Sequence, residues 1–203
     1  MTILDAPDTR YRVHNSLNRL RDVVNYPGPH FEALMEERER WSRLCVAMDV
    51  ATDTETAIQT YIDTADVDVG YLHYYGLMDS WVVQQDAVDT VRRELLRLPK
   101  IDWRTDAQYP QLVRNRRLRN KLTSHPMSAK SGNGDVVANG IIKFGMGKWH
   151  LPYLEWRDGD YTQRSVNLKE CIAAQRECIA RLIDEATIDY GKRTGVDPDA
   201  DLW

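Results

Sequence analysis

Residues 68–98 read DVGYLHYYGLMDSWVVQQDAVDTVRRELLRL, and their apolar positions recur at three- and four-residue steps. Leu72, Tyr75, Val82, Ala87, Val91, Leu95 and Leu98 trace a helical stripe until Pro99 closes it. This is the longest candidate helix in the chain, and it predicts a helical architecture around it. Gln84-Gln85-Asp86 is unusually polar for such a central element. That triplet is either a solvated or hydrogen-bonded structural face, or support for a site or subunit interface.

Upstream, Val13, Leu17, Leu20 and Val24 give residues 8–25 helical spacing, and Pro27-Gly28-Pro29 interrupts it. A second helix is expected over 30–49, with Phe31, Leu34, Met35, Trp41, Leu44, Cys45 and Met48 on its inner stripe. Thr52-Asp53-Thr54-Glu55 reads as the start of a short third helix running to about Asp63, because small oxygen-bearing side chains satisfy the free N–H groups of a first turn. Downstream, residues 105–125 form a basic helix, and Ser131-Gly132-Asn133-Gly134-Asp135 is a turn cluster. Ile141-Ile142-Lys143-Phe144 and the run Trp149 to Trp156 are aromatic and β-branched, broken by Gly145-Met146-Gly147 and Asp158-Gly159-Asp160, which predicts a β-hairpin. The last helix, about 165–191, repeats Val166, Leu168, Ile172, Ile179, Leu182, Ile183 and Ile188. The sum is a mainly α fold: an antiparallel helical bundle forming one domain over 1–203, with a small β-hairpin insertion at 135–163 before the last long helix.

Composition narrows the function classes. The first thirty residues hold no continuous apolar stretch, so neither a signal peptide nor a membrane span is expected and a cytoplasmic protein is. Three cysteines, Cys45, Cys171 and Cys178, include no C-x-x-C pair that would suggest zinc and are too few for a disulfide framework. Cys171 and Cys178 lie seven apart on one helix and read as core residues. A formal net charge of −4 argues against coating nucleic acid through bulk charge, so any such site must be local.

The segment Arg114 to Lys121 reads RNRRLRNK, five cations in eight residues of an acidic protein. Alone, such a run is a solvated helix face. His125 follows Arg119 by six residues, and Pro126 disfavours helical geometry at His125, which places the histidine at a helix end. On an α-helix that offset turns the two side chains roughly 120° apart and separates them by about 9 Å along the axis, so both can address one phosphate across the helix end. Histidine titrates near neutrality, which suits it to take a proton from a ribose 2′-OH or give one to a leaving oxygen. Arginine stays charged and offers phosphate a planar fork. RNA carries its own nucleophile, so this pair needs no metal or other cofactor. Without such neighbours, a histidine near a helix end is more often structural.

Arg119-Asn120, four further residues and His125 together resemble the R-polar-x(3 to 5)-H motif of the HEPN superfamily. Those proteins are compact helical bundles, commonly dimeric, and many are metal-independent endoribonucleases of toxin, antiviral and RNA-processing systems. The resemblance implies that His125 is the acid/base, that Arg119 binds and stabilises the scissile phosphate, and that Asn120 orients the histidine or the phosphate. Arg114, Arg116, Arg117 and Lys121 would supply further RNA phosphate contacts. In such dimers the two motif helices face each other across a cleft, which would double the local positive charge. One branch of the family carries a tyrosine two residues after the histidine; here that position is Met127. Lys143, Lys148, Trp149, Tyr153 and Trp156 of the hairpin either stack on single-stranded RNA or pack over the bundle. His14, His30, His73 and His150 have no partner at motif spacing.

The expectation is therefore a metal-independent endoribonuclease acting on single-stranded or loop RNA by 2′-OH attack, in a toxin or antiviral defence setting. It would be a homodimer, with an antitoxin or defence-system protein as a further partner and no membrane association. Two alternatives stand beside it: a non-catalytic RNA- or nucleotide-binding module, and a structural dimeric subunit.

Overall fold

A computed structural model describes residues 11–66, 69–124, 129–130, 136–157 and 160–200. Among them are six α-helices: α1 (Arg12–Asn25), α2 (Pro29–Glu36), α3 (Arg38–Asp63), α4 (Tyr71–Leu96), α5 (Pro110–Arg119) and α6 (Leu168–Thr194). A π-helical turn, Asn120–Ser124, extends α5. Between it and α6 lie strands β1 (Ala129–Lys130), β2 (Val136–Ile141), β3 (His150–Arg157) and β4 (Asp160–Asn167). The protein is thus mainly helical, with a small antiparallel sheet before its last helix. No helix among the described residues is long and apolar enough to cross a membrane.

The bundle has two apolar cores. The first joins Leu17 and Leu20 of α1, Leu44 and Met48 of α3, Val88 and Val91 of α4, and Ile179 and Ile183 of α6. The second joins Ile58 and Tyr61 of α3, Trp81 of α4, Leu118 of α5, Leu151 of β3 and Ile172 of α6. Where α3, α4, α5 and α6 pass from one core to the other, each turns a buried polar side chain inward: Glu55, Gln84 and Gln85, Asn115, and Gln175 with Arg176. Gln175 Nε2 donates to the Trp81 carbonyl and to Gln84 Oε1, each at 3.1 Å, and Gln175 Oε1 accepts from Gln85 Nε2 at 3.1 Å and Asn115 Nδ2 at 3.3 Å. Gln84 Nε2 donates to Glu55 Oε2 at 3.1 Å. The polar Gln84-Gln85 pair is a hydrogen-bonded structural layer, as buried amides require.

Residues 38–63 form one helix, not the end of a second and the start of a third. The hydroxyls of Thr52, Thr54 and Thr56 do not cap a first turn; they donate back to the carbonyls of Met48, Val50 and Thr52 at 2.9, 2.8 and 3.1 Å. That back-bonding lets threonine sit inside a helix whose inner face is already supplied by Ala51 and Ile58. The break falls earlier, at Glu37, whose carboxylate is held by Arg40 and Arg97. The basic helix also starts later than 105. Asp102 and Asp106 accept backbone N–H groups of the preceding turns, and Pro110 opens α5 at its first position, where no N–H is needed.

The β element is larger than a hairpin insertion ending at 163. It is a four-stranded antiparallel sheet in the order β1-β2-β3-β4, and β4 runs straight into α6. Asn167 makes that join, its Oδ1 accepting from the N–H of Lys169 at 3.1 Å as the N-cap of α6. Leu151, Tyr153 and Val166 point from the sheet into the second core. The turn cluster 131–135 and most of the Asp158-Gly159-Asp160 break lie outside the described residues.

Candidate active site at the end of the basic helix

Helix α5 buries Leu112, Val113, Asn115 and Leu118, so its cations fall on the remaining faces. The carboxylates they meet come from α4 and β3. Arg116 is closed off: its guanidinium pairs with Asp86 at 2.6 Å, donates to Gln85 Oε1 at 3.1 Å and the Val82 carbonyl at 3.2 Å, and lies 5.7 Å over the Trp103 ring. Arg117 is exposed and donates to the Arg104 carbonyl. Arg114 is exposed, and no ion pair to it occurs among the described residues.

Arg119 ends the α-helical part. Its Nε donates to Asp79 Oδ1 at 2.7 Å and its Nη1 to Asn120 Oδ1 at 3.2 Å. The arginine side chain is 27% exposed and the aspartate 52%. Nη2, the nitrogen common to both donor forks of the guanidinium, has no hydrogen-bond partner among the described residues. Asn120 is exposed and orients the arginine in this structure.

Beyond Arg119 the helix widens into the π turn, so the α-helical projection from Arg119 to residue 125 does not apply past Asn120. Thr123 donates to the Arg119 carbonyl at 2.9 Å, and Leu122 is buried in the second core, which anchors the turn. Lys121 bonds Glu155 of β3, lies 4.9 Å over the Tyr153 ring, and shares the carboxylate with Arg164 at 3.1 Å. The hydrogen bond from Lys121 holds the Glu155 carboxyl below the usual carboxylate range against the opposing effect of burial. His125, the expected acid/base, lies outside the described residues with Pro126 and Met127.

The structure thus brings Arg119 and Asn120 together and engages Arg116 and Lys121 elsewhere. Sequence reasoning missed Asp79, which sits seven residues before Asp86 on α4; the two aspartates receive Arg119 and Arg116. Acidic residues at that spacing share a helix face, and this is the signal that could have found them. Of the hairpin residues, Lys148 is buried, with its ammonium bound to the Ile62 and Thr64 carbonyls, and the ammonium groups of Lys148 and Lys169 lie 4.8 and 4.9 Å from the Trp149 ring centre. Tyr153 is buried under Lys121, and Lys143 is exposed. Trp156, 46% exposed, stacks on Tyr161.

Cys171 and Cys178 are buried in the two cores, and burial pushes both thiols up, away from reactive thiolate. Compared with known proteins, the chain matches no family model, no curated protein and no solved structure.

Proposed function

We propose that this chain is a HEPN-like, metal-independent endoribonuclease that cleaves single-stranded or loop RNA. The observation that supports it best is Arg119: partly exposed at a helix end, held at Nε and Nη1, and six residues before a histidine. In this reading the ribose 2′-oxygen attacks phosphorus and the bond to the 5′-oxygen breaks, leaving a 2′,3′-cyclic phosphate and a 5′-hydroxyl. His125 accepts the proton from the 2′-OH or donates one to the departing 5′-oxygen. Arg119 carries the charge that builds on the phosphate oxygens. Arg114 and Arg117, the exposed cations of α5, extend the phosphate track.

The proposed protein is a homodimer acting in a toxin or antiviral defence system, with an antitoxin or defence-system protein as a further partner. Support for a second copy comes from an open, apolar groove of about 510 Å³ between α3 and α4, lined by Val46, Val50, Val83 and Ala87, a face that the same face of a second copy would cover across a two-fold axis.

Purified protein in EDTA is expected to cleave RNA and leave DNA of the same sequence intact, and His125→Ala to lose roughly 10²-fold or more, the scale of a general acid or base. Undiminished cleavage by that variant would falsify the assignment. A structural subunit is favoured by one specific observation: Asp79, Asp86 and Glu155 each take a cation of the basic segment, charge that RNA phosphates would otherwise use. Substitution of Arg119 and His125 with no loss of cellular activity would identify that case.

A further inference from the structure

Two arginines of α5, three residues apart, meet two aspartates of α4, seven residues apart, in an antiparallel arrangement. The pairs look alike and are not. Around Arg116 the guanidinium also donates to Gln85 and to a backbone carbonyl, and Trp103 covers it, so that pair fastens the helices together. Around Arg119 the contacts are one-sided. Asp79 takes Nε with a single oxygen, Asn120 takes Nη1, and Nη2 is left between them.

We infer that Asp79 is a positioning residue for Arg119, fixing the plane of its guanidinium so that the Nη2 donors meet an RNA phosphate. This rests on the reading of Arg119 as a phosphate ligand. An ion pair as exposed as this one adds little to stability, so its consequence is orientation. An unheld arginine must lose side-chain freedom on binding, whereas one gripped at two nitrogens has already lost it. The geometry also assigns a cost: the Asp79 carboxylate is a negative charge beside an anion. The two effects separate by substitution. Asn keeps an oxygen acceptor for Nε and removes the charge; Ala removes both.

The test uses full-length protein and a single-stranded RNA 2′-O-methylated throughout, which cannot be cut by 2′-OH attack. Affinity is measured for wild type, Asp79→Ala, Asp79→Asn, Arg119→Ala and the Asp79→Ala/Arg119→Ala double variant. In parallel, 15N NMR reads rotation of the Arg119 guanidinium. Asp79→Ala is expected to bind about tenfold more weakly, Asp79→Asn to bind at least as tightly as wild type, and the double variant to match Arg119→Ala. The Arg119 signals should show restricted rotation in wild type and Asp79→Asn and free rotation in Asp79→Ala. Binding by Asp79→Ala that equals or exceeds wild type overturns the inference, as do additive losses in the double variant, unchanged rotation, or no binding by wild type. Intact binding without cleavage of ordinary RNA would overturn the nuclease reading and leave the role of Asp79 standing.

Discussion

Arg176 and Glu55 form a buried ion pair, each 1% exposed and 2.6 Å apart. Burial pushes the Glu55 carboxyl up, and the Arg176 guanidinium offsets only part of that rise. Removing one partner would strand the other in the core. Arg176→Met is therefore expected to lower unfolding free energy by about 3–5 kcal/mol, read by urea denaturation. Replacing both, as Glu55→Gln with Arg176→Met, should recover most of that loss, since Gln keeps an oxygen for Gln84 Nε2 while the guanidinium, whose Nε and Nη1 have no hydrogen-bond partner among the described residues, is removed with the charge it met. A double variant as unstable as the single would show instead that the pair is net stabilising. Arg119 is the opposite kind of arginine: partly exposed and held at two nitrogens by exposed groups, it contributes little to folding, and its substitution should be felt in RNA binding.

At the level of elements, the sheet is held to the bundle in two chemically distinct ways. Leu151, fully buried, inserts into the second core, and Leu151→Ala is expected to cost about 2–5 kcal/mol through the cavity it leaves. Lys121 and Arg164 meet on Glu155 at the point where the motif turn touches β3. The folded Glu155 carboxyl titrates lower than in the unfolded chain. Its stabilisation is thus complete above the unfolded value of about 4.3 and is lost as pH falls through the lower folded value. The stability difference between wild type and Glu155→Gln should be present at neutral pH and shrink in acid. A difference constant from pH 7 to pH 3 would show that the carboxylate charge is not the source. Pro110 and the Asp102 and Asp106 turns define where α5 begins, so the motif segment is braced at one end by turn chemistry and at the other by Leu122 and the sheet.

Across the whole molecule, the polar layer separates two cores that α3, α4, α5 and α6 share. Apolar stripes alone tolerate sliding of one helix past another; four amides that must meet do not, because each unmet group costs its desolvation. Gln175 is the hub, with contacts to Trp81, Gln84, Gln85 and Asn115. Gln175→Leu is expected to destabilise by about 1–3 kcal/mol for each buried partner left unsatisfied. It should also broaden the NMR signals of α4 and α6 if the layer sets their register. A variant as stable as wild type with a single sharp set of signals would show that the apolar packing suffices.

The helix at residues 71–96 was legible because a 3.6-residue period is a local property, and the same holds for α1 and α6. Its inner stripe was read correctly at Ala87, Val91 and Leu95 but not at Leu72 and Tyr75, which are exposed while Tyr74, Leu77, Met78 and Trp81 face the core. Arg119, Asn120 and Lys121 were legible as a charge anomaly in an acidic chain. The threonine-rich stretch 52–56 misled, since the same hydroxyls that cap a helix start can back-bond within one, and only the packing of Ala51 and Ile58 shows which occurs. The sequence by itself determined a mainly helical protein, the position of its β element before the last helix, and the basic segment preceding His125. Only the tertiary structure decided that Gln84 and Gln85 face inward, that Arg116 is closed and Arg119 open, and that Asp79 stands beside the motif. Those outcomes depend on partners 29 to 91 residues away along the chain, and a residue's neighbours at that distance are set by how the helices pack.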